Sequence, residues 1–312
     1  MNILFYTTDA EPQRWVEALQ QHLPQARIAT FPEHGQAQAD YAVCWKPPAD
    51  FFNGQRGIKA VFNIAAGVDY ILAHPAMQSG YLHGVPIVRL GDAGMAAQME
   101  EYVLAATLRW QRQLDTYAAQ QRAGVWKMLT PVNRSVVNVG VLGLGVLGTH
   151  VARSMQRFGY QAIGWNRSER QIEGVDCSIG DGALGSFLAR TNVLVCLLPL
   201  TESTRGILNR ANMARLPQGA HVINIGRGPH LVEADLLALL DSRHLSGATL
   251  DVFPEEPLPA ASPLWRHPQV LITPHVSATT LREESMAQIA DKIRRLEAGH
   301  PLTDVVDRSK GY

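Results

Sequence analysis

The stretch V-V-N-V-G-V-L-G-L-G-V-L-G, residues 136–148, decides how the chain reads. Val136, Val137, Val139, Val141 and Leu142 form a β-branched, apolar run that predicts a strand. Gly143, Gly145 and Gly148 follow at G-x-G-x-x-G spacing, and Thr149, Val151, Ala152, Met155 and Phe158 then recur at helical intervals as far as Gly159. Strand, glycine turn and helix in this order build a dinucleotide site. The first glycine permits the turn, the second lets backbone approach a diphosphate, and the third lets the helix pack close to the strand. The diphosphate would meet the unpaired N–H groups at the helix start, at Val146 and Leu147. In a chain with 26 glycines the spacing alone is weak, and the strand-to-helix context is what carries it.

The strand after the fingerprint, residues 161–165, runs into Asn166-Arg167-Ser168. A dinucleotide site for NADH places an acid here, about 20 residues on, to bind the adenosine ribose. An amide, a guanidinium and a hydroxyl would instead accept a 2′-phosphate, so the sequence points to NADPH, with NADH weaker. The next strand, residues 192–198, closes on Pro199. Leu198, Pro199 and Leu200 suit the apolar floor that a nicotinamide ring needs, with Thr201 or Thr204 as hydrogen-bonding neighbours. A buried strand with an ordinary loop fits the same residues.

Three further strands end in chemistry-bearing loops. Residues 221–225 lead into Gly226-Arg227-Gly228, residues 250–253 into Pro254-Glu255-Glu256-Pro257, and residues 271–273 into Pro274-His275-Val276-Ser277. Singly, each reads equally well as an exposed arginine, a solvated acidic loop and a structural histidine. Together they set a guanidinium, a carboxylate and an imidazole on one edge of a sheet, beside a dinucleotide. That set matches hydride transfer to a carbonyl next to a carboxylate.

These stretches resemble the D-isomer-specific 2-hydroxyacid dehydrogenase family. G-L-G-V-L-G, C-L-L-P-L-T-E-S-T-R-G-I-L, N-I-G-R-G-P-H-L-V-E, D-V-F-P-E-E-P and T-P-H-V-S occur in the family's order. The resemblance implies that Arg227, Glu256 and His275 are the catalytic trio, Glu256 being chosen over Glu255 because it directly precedes the proline. It places Asp251 near the nicotinamide and makes Ala66-Gly67 the loop that offers N–H groups to the substrate carboxylate. The segment Cys44-Trp45-Lys46-Pro47-Pro48 resembles the family's glyoxylate and hydroxypyruvate reductases, in which Trp45 would narrow the pocket to two- or three-carbon acids; a core tryptophan reads as well. The implied reactions are NADPH-dependent reduction of glyoxylate to glycolate and of hydroxypyruvate to D-glycerate. The rivals are a D-lactate or phosphoglycerate dehydrogenase, and a dinucleotide-sensing corepressor or scaffold on the same fold.

The rest of the chain supplies the frame. Strand-like runs at 3–6, 27–31, 41–45, 60–64 and 86–90 alternate with helical periodicity, as in Trp15, Val16, Leu19 and Leu23. This α/β alternation predicts doubly wound parallel sheets. A helical pattern from Met95 to about Gln121 bridges to the fingerprint, and a last amphipathic helix covers 281–297. Two α/β domains sharing a cleft is the economical organisation. By the family pattern, a flavodoxin-like substrate domain (1–92 and 284–312) carries an inserted Rossmann coenzyme domain (93–283), and the long helix resembles the family's dimerisation segment.

The 312 residues are 46% hydrophobic and 18% charged, with 28 basic and 28 acidic side chains, a balance that offers nothing to nucleic acid or anionic membrane. Cys44, Cys177 and Cys196 lack metal-ligand or C-x-x-C spacing and read as reduced thiols. The opening M-N-I-L-F-Y-T-T-D lacks a basic n-region, and no apolar run approaches the roughly 20 residues of a membrane span. A cytoplasmic protein is expected.

Overall fold

The computed structural model describes residues 1–33 and 37–312. The chain divides into two compact units, Met1–Met95 with Thr280–Tyr312, and Ala96–Thr279.

The first unit begins with β1 (Asn2–Tyr6), α1 (Pro12–His22), β2 (Arg27–Thr30), β3 (Tyr41–Cys44), β4 (Ala60–Asn63), the single helical turns α2 (Asp69–Leu72) and α3 (Pro75–Gln78), and β5 (Ile87–Val88). The strands pair in parallel in the order β2-β1-β3-β4-β5, the flavodoxin-like arrangement. β3 and β4 are buried at every position, as central strands covered on both faces must be, which is why Y-A-V-C and A-V-F-N read as continuous apolar runs. Pro12 opens α1, which buries Trp15, Val16, Ala18 and Leu19.

The second unit contains α4 (Met95–Gln111), α5 (Leu114–Arg122), β6 (Asn138–Leu142), α6 (Val146–Arg157), β7 (Gln161–Asn166), β8 (Asp176–Ile179), α7 (Leu184–Ala189), β9 (Val193–Cys196), α8 (Arg210–Met213), β10 (Ala220–Asn224), α9 (Glu233–Asp241), β11 (Leu245–Leu250) and β12 (Val270–Ile272). Its parallel sheet runs β12-β11-β10-β9-β6-β7-β8. The order reverses between β6 and β9, the switch point at which open α/β sheets bind ligands. Apolar clusters fill both faces of this sheet, one around Phe187, Leu194, Val222 and Leu250, the other around Val139, Val151, Met155 and Ile223. The chain then returns to the first unit as α10 (Arg282–Glu297), which packs on α1 and buries Met286, Ile289, Ala290 and Ile293.

Several expected elements differ. Val136 lies in a 3-10 turn (Arg134–Val136) and is exposed, because β6 needs a partner on each side and pairs only from Asn138 on. The helix expected from Met95 to Gln121 breaks at Gln113, whose φ of +52° is left-handed and ends the hydrogen-bond ladder. Leu108 and Leu114, apolar residues within that pattern, are exposed, and α5 buries no side chain. The edge strand β8 went unforeseen because D-C-S-I, half exposed, lacks an apolar run. β11 begins at Leu245, five residues before the expected run at 250–253. Cys44 and Cys196 are buried thiols, and burial pushes Cys196 up to about 12. Among the described residues no helix is long and apolar enough to cross a membrane.

Candidate active site

The three glycines of the fingerprint have separate physical causes. Gly143 has φ +97°, and a Cβ there would lie 2.9 Å from the Leu197 carbonyl oxygen. A Cβ on Gly148 would fall 1.8 Å from the Gly143 carbonyl oxygen, so the helix can sit against the turn only if this residue is glycine. A Cβ on Gly145 would meet nothing. That glycine leaves open space at the start of α6, where no side chain caps the helix and its first turn carries no acid. The leading N–H groups, Val146 and Leu147, therefore lack an intrahelical acceptor, and the cradle fits the diphosphate of a dinucleotide.

Asn166 ends β7 beside this turn. Its Oδ1 accepts from the Leu144 N–H at 3.3 Å, and its Nδ2 donates to the Ser168 carbonyl and hydroxyl oxygens at 2.8 and 3.0 Å. The amide thus shapes the turn rather than presenting free donors, and Ser168 Oγ is one of its partners. Arg167 is exposed and donates through Nη2 to Ser203 Oγ, in the loop after β9. Ser203 Oγ is in turn 3.0 Å from Thr201 Oγ1. The guanidinium is fixed across two loops at the edge of the sheet. Sequence reasoning missed Ser203, since 36 residues separate the pair.

Leu198 is buried and Pro199 and Leu200 are half-buried at the end of β9. The Thr204 hydroxyl donates to the Pro199 carbonyl at 2.7 Å and accepts from the Thr201 N–H at 2.8 Å, so it builds the turn under these apolar residues.

Arg227 follows β10 in a loop held from several sides. Asn224 Nδ2 donates to the Arg227 carbonyl at 3.1 Å. The Arg227 N–H donates to His230 Nδ1 at 3.1 Å, which leaves His230 Nε2–H to donate to the Pro199 carbonyl at 3.2 Å. A Cβ on Gly228 would lie 1.8 Å from the Phe253 carbonyl carbon, so the loop after β10 is pressed against the loop after β11. The roles of Asn224 and His230 escaped sequence reasoning; both are polar residues in apolar surroundings, a weak signal that only loop closure explains.

Glu256 stands in the loop after β11. Its Oε1 accepts from the Phe253 N–H at 3.0 Å, and its Oε2 accepts from His275 Nδ1 at 2.8 Å. The carboxylate holds Nδ1–H and the ring's orientation, leaving Nε2 as the nitrogen that can take up and pass on a proton. His275, after β12, has φ +56°, an unfavourable backbone for a non-glycine residue. Asp251 holds it there. The Asp251 carbonyl accepts from the His275 N–H at 2.9 Å, while its buried carboxylate accepts from the Val276 and Ser277 N–H groups at 2.8 and 2.9 Å and from Thr273 Oγ1 at 2.5 Å. Tyr102 Oη, 2.6 Å from Thr273 Oγ1, completes the chain. Burial, with the Asp251 charge behind it, pushes the Tyr102 phenol up to about 12, so it remains a donor.

In the first unit, Trp45 follows β3, half-buried and edge-to-face with Tyr70 at 5.6 Å between centroids. Ala66 and Gly67 follow β4. Buried Asn63 donates through Nδ2 to the carbonyls of Ala65 and Gly67, at 3.0 and 2.9 Å, and turns both inward.

A conserved-domain profile, the NAD binding domain of the D-isomer specific 2-hydroxyacid dehydrogenases, matches residues 104–277. The chain belongs to the D-isomer-specific 2-hydroxyacid dehydrogenase family. It is 45% identical over the full length of both chains to the glyoxylate/hydroxypyruvate reductase A of Salmonella newport. Among solved structures, a family member from Xanthobacter autotrophicus Py2 in complex with NADPH and MES superposes with a TM-score of 0.94 at 40% identity, covering 100% of this chain and 99% of that one. The NADPH-dependent glyoxylate/hydroxypyruvate reductase of Sinorhizobium meliloti, in complex with NADP and sulfate, gives 0.92 at 38% identity, with coverage of 100% and 99%.

Proposed function

We propose that this chain is an NADPH-dependent reductase of small 2-oxoacids, converting glyoxylate to glycolate and hydroxypyruvate to D-glycerate. The observation that carries the reading is the 2.8 Å His275–Glu256 pair, set on the sheet edge that also bears the Arg227 loop and the glycine cradle. Bound NADPH supplies the hydride. Gly143, Gly145, Val146, Leu147 and Gly148 hold the diphosphate, Arg167 and Ser168 take the 2′-phosphate, and Leu198, Pro199 and Leu200 floor the nicotinamide. Arg227 binds the carboxylate and carbonyl oxygens of the acid through its planar fork, and the N–H groups of Ala66 and Gly67 bind the carboxylate. His275 in its imidazolium form gives its Nε2 proton to the carbonyl oxygen as the carbon takes the hydride, leaving glycolate from glyoxylate and D-glycerate from hydroxypyruvate. Trp45 restricts the acid to two or three carbons.

In this reading residues 1–92 and 284–312 form the substrate domain and 93–283 the coenzyme domain. A homodimer is supported by the exposed Leu108, Leu114, Tyr117 and Trp126 along and beyond α4 and α5, and a cytoplasmic location by three free cysteines. The test is NADPH oxidation in the presence of glyoxylate or hydroxypyruvate. Dinucleotide binding without turnover of either acid would favour the sensing or scaffold reading.

A further inference from the structure

Lys46 has a backbone that its sequence opposes. Its φ is +48°, left-handed for a side chain that gains nothing there, and it precedes Pro47, which disfavours compact conformations of the residue before it. Such a conformation persists only where the surroundings impose it. They do: the Trp45 N–H donates to the Tyr6 carbonyl at 2.9 Å, and His74 Nε2, whose Nδ1 accepts from the Ala76 N–H, donates to the Pro48 carbonyl at 2.9 Å. The side chain is placed as firmly. Lys46 Nζ stands 4.1 Å from the Tyr70 ring centroid and 5.4 Å from that of Trp45. Among the described residues no carboxylate pairs with it, unlike Lys59, Lys292 and Lys310.

The neighbouring loop presents the complementary half of an anion site. Cys44 and Asn63, the last residues of β3 and β4, are partners in register, so Lys46 and residues 65–68 leave the sheet side by side. With the Ala65 and Gly67 carbonyls drawn inward by Asn63, the N–H groups of Ala66, Gly67 and Val68 find no acceptor among the described residues. Tyr70 follows at once. A helical side chain leans back over the preceding turn, which brings the Tyr70 ring, and the ammonium on its face, toward that loop.

We propose that Lys46 is a substrate-binding residue whose ammonium, clamped on Tyr70 and Trp45, joins the N–H groups of Ala66, Gly67 and Val68 in gripping the substrate carboxylate. This rests on reading that loop as the carboxylate site. An ammonium already immobilised on two rings gives up little freedom on binding, and with no protein counterion it has none to release.

The experiment is steady-state reduction of glyoxylate at saturating NADPH by the wild type and by Lys46→Met, Lys46→Arg and Lys46→Gly, with calorimetric binding of oxalate to the NADPH-loaded protein. Loss of one charge-assisted contact predicts a KM for glyoxylate, and a Kd for oxalate, raised about tenfold or more in Lys46→Met, with kcat and the KM for NADPH nearly unchanged. Lys46→Arg restores most of the affinity. Lys46→Gly, which suits φ +48°, raises KM as Met does while its Tm holds or rises, which separates binding from folding. Wild-type KM and oxalate affinity in Lys46→Met and Lys46→Gly overturn the proposal and leave the reductase reading intact. A wild type that reduces no 2-oxoacid, yet binds oxalate in a Lys46-dependent way, overturns the reductase reading and leaves this one standing.

Discussion

His275 Nδ1 donates to Glu256 Oε2 across 2.8 Å, joining loops that leave neighbouring strands of one parallel sheet. Because Glu256 Oε1 is itself held by the Phe253 N–H, the carboxylate is a fixed anchor for the ring. His275→Ala is expected to lower kcat on the order of 10²–10⁴-fold, the usual contribution of a general acid. NADPH affinity, measured by direct titration, should be nearly unchanged. Glu256→Gln keeps an acceptor for Nδ1–H and should fall between the two. Turnover near wild type in His275→Ala would remove the imidazole from the mechanism.

The Arg227 loop gives a second prediction. Asn224, His230 and the contact of Gly228 with Phe253 hold the backbone, while Arg227 Nη1 also donates to the Gly226 carbonyl at 2.9 Å, so a conservative change of side chain at 227 is the one that tests the guanidinium. Lysine keeps the charge and loses the fork. Arg227→Lys should lower kcat/KM for glyoxylate by roughly 10- to 150-fold, the value of one charge-assisted hydrogen bond. Gly228→Ala, with its Cβ 1.8 Å from the Phe253 carbonyl carbon, should displace the loop and lower both kcat/KM and Tm. A fully active Arg227→Lys enzyme would rule out bidentate binding.

What was legible in the sequence follows the range of the forces involved. The glycine spacing of residues 143–148 announces a steric necessity between atoms a few residues apart, and the structure shows the clash that Gly148 avoids. The chemistry-bearing loops were legible because parallel strands deliver their C-terminal ends to one edge. Gln113 and Lys46 were not, since nothing in their side chains asks for a left-handed backbone. Nor were the partners of Arg167, His230 and Asp251, because hydrogen bonds between loops 20 or more residues apart leave no periodic trace. β8 was hidden by exposure: an edge strand needs no apolar run.

His221, buried in β10, predicts a pH dependence of stability. Its Nε2 lies 3.0 Å from Thr249 Oγ1, and burial pushes the ring down to about 4 from its ordinary 6.5. Above pH 6.5 the ring is neutral in both folded and unfolded chains and its contribution is fully present. Between 6.5 and about 4 the unfolded chain takes up a proton that the folded chain refuses, so stability falls as pH is lowered. The full loss, about 3 kcal/mol at roughly 1.4 kcal/mol per pH unit, is reached below the folded value. Denaturant unfolding of the wild type and His221→Asn across this range should show their difference changing with pH. A constant difference would clear His221 of the effect.

Trp45 bears on substrate size. If the indole, braced against Tyr70, limits the acid to two or three carbons, wild-type kcat/KM should favour glyoxylate and hydroxypyruvate over phenylpyruvate. Trp45→Ala should shift that ratio toward phenylpyruvate by about tenfold, within the range set by one large apolar contact. A wild-type preference for phenylpyruvate would refute the small-substrate reading, and an unchanged ratio in the variant would return Trp45 to a packing role.

The proposed 2′-phosphate site is built on the contact between Arg167 and Ser203. A 2′-phosphate carries close to two negative charges and must meet donors without a carboxylate at the ribose. Asn166 is turned toward Leu144 and Ser168, which in the proposed site leaves the charge to Arg167, whose position is fixed by Ser203, backed by Thr201. One charge-assisted contact is worth about 1.5–3 kcal/mol, or roughly 10- to 150-fold in affinity. Wild-type kcat/KM should therefore favour NADPH over NADH by at least about tenfold, less at high salt because the arginine is exposed. Arg167→Ala should lose most of that preference by harming NADPH use alone. Ser203→Ala, which frees the guanidinium without removing it, should lose part of it. Asn166→Asp keeps the acceptor for the Leu144 N–H while placing a carboxylate at the ribose, and should turn the preference toward NADH. Binding of 2′,5′-ADP and of 5′-ADP by calorimetry reads the same energies without turnover: Arg167→Ala should weaken the first and spare the second. Equal affinity of the wild type for the two nucleotides, or an Arg167→Ala protein that still prefers 2′,5′-ADP, would mean that the phosphate is held by other residues.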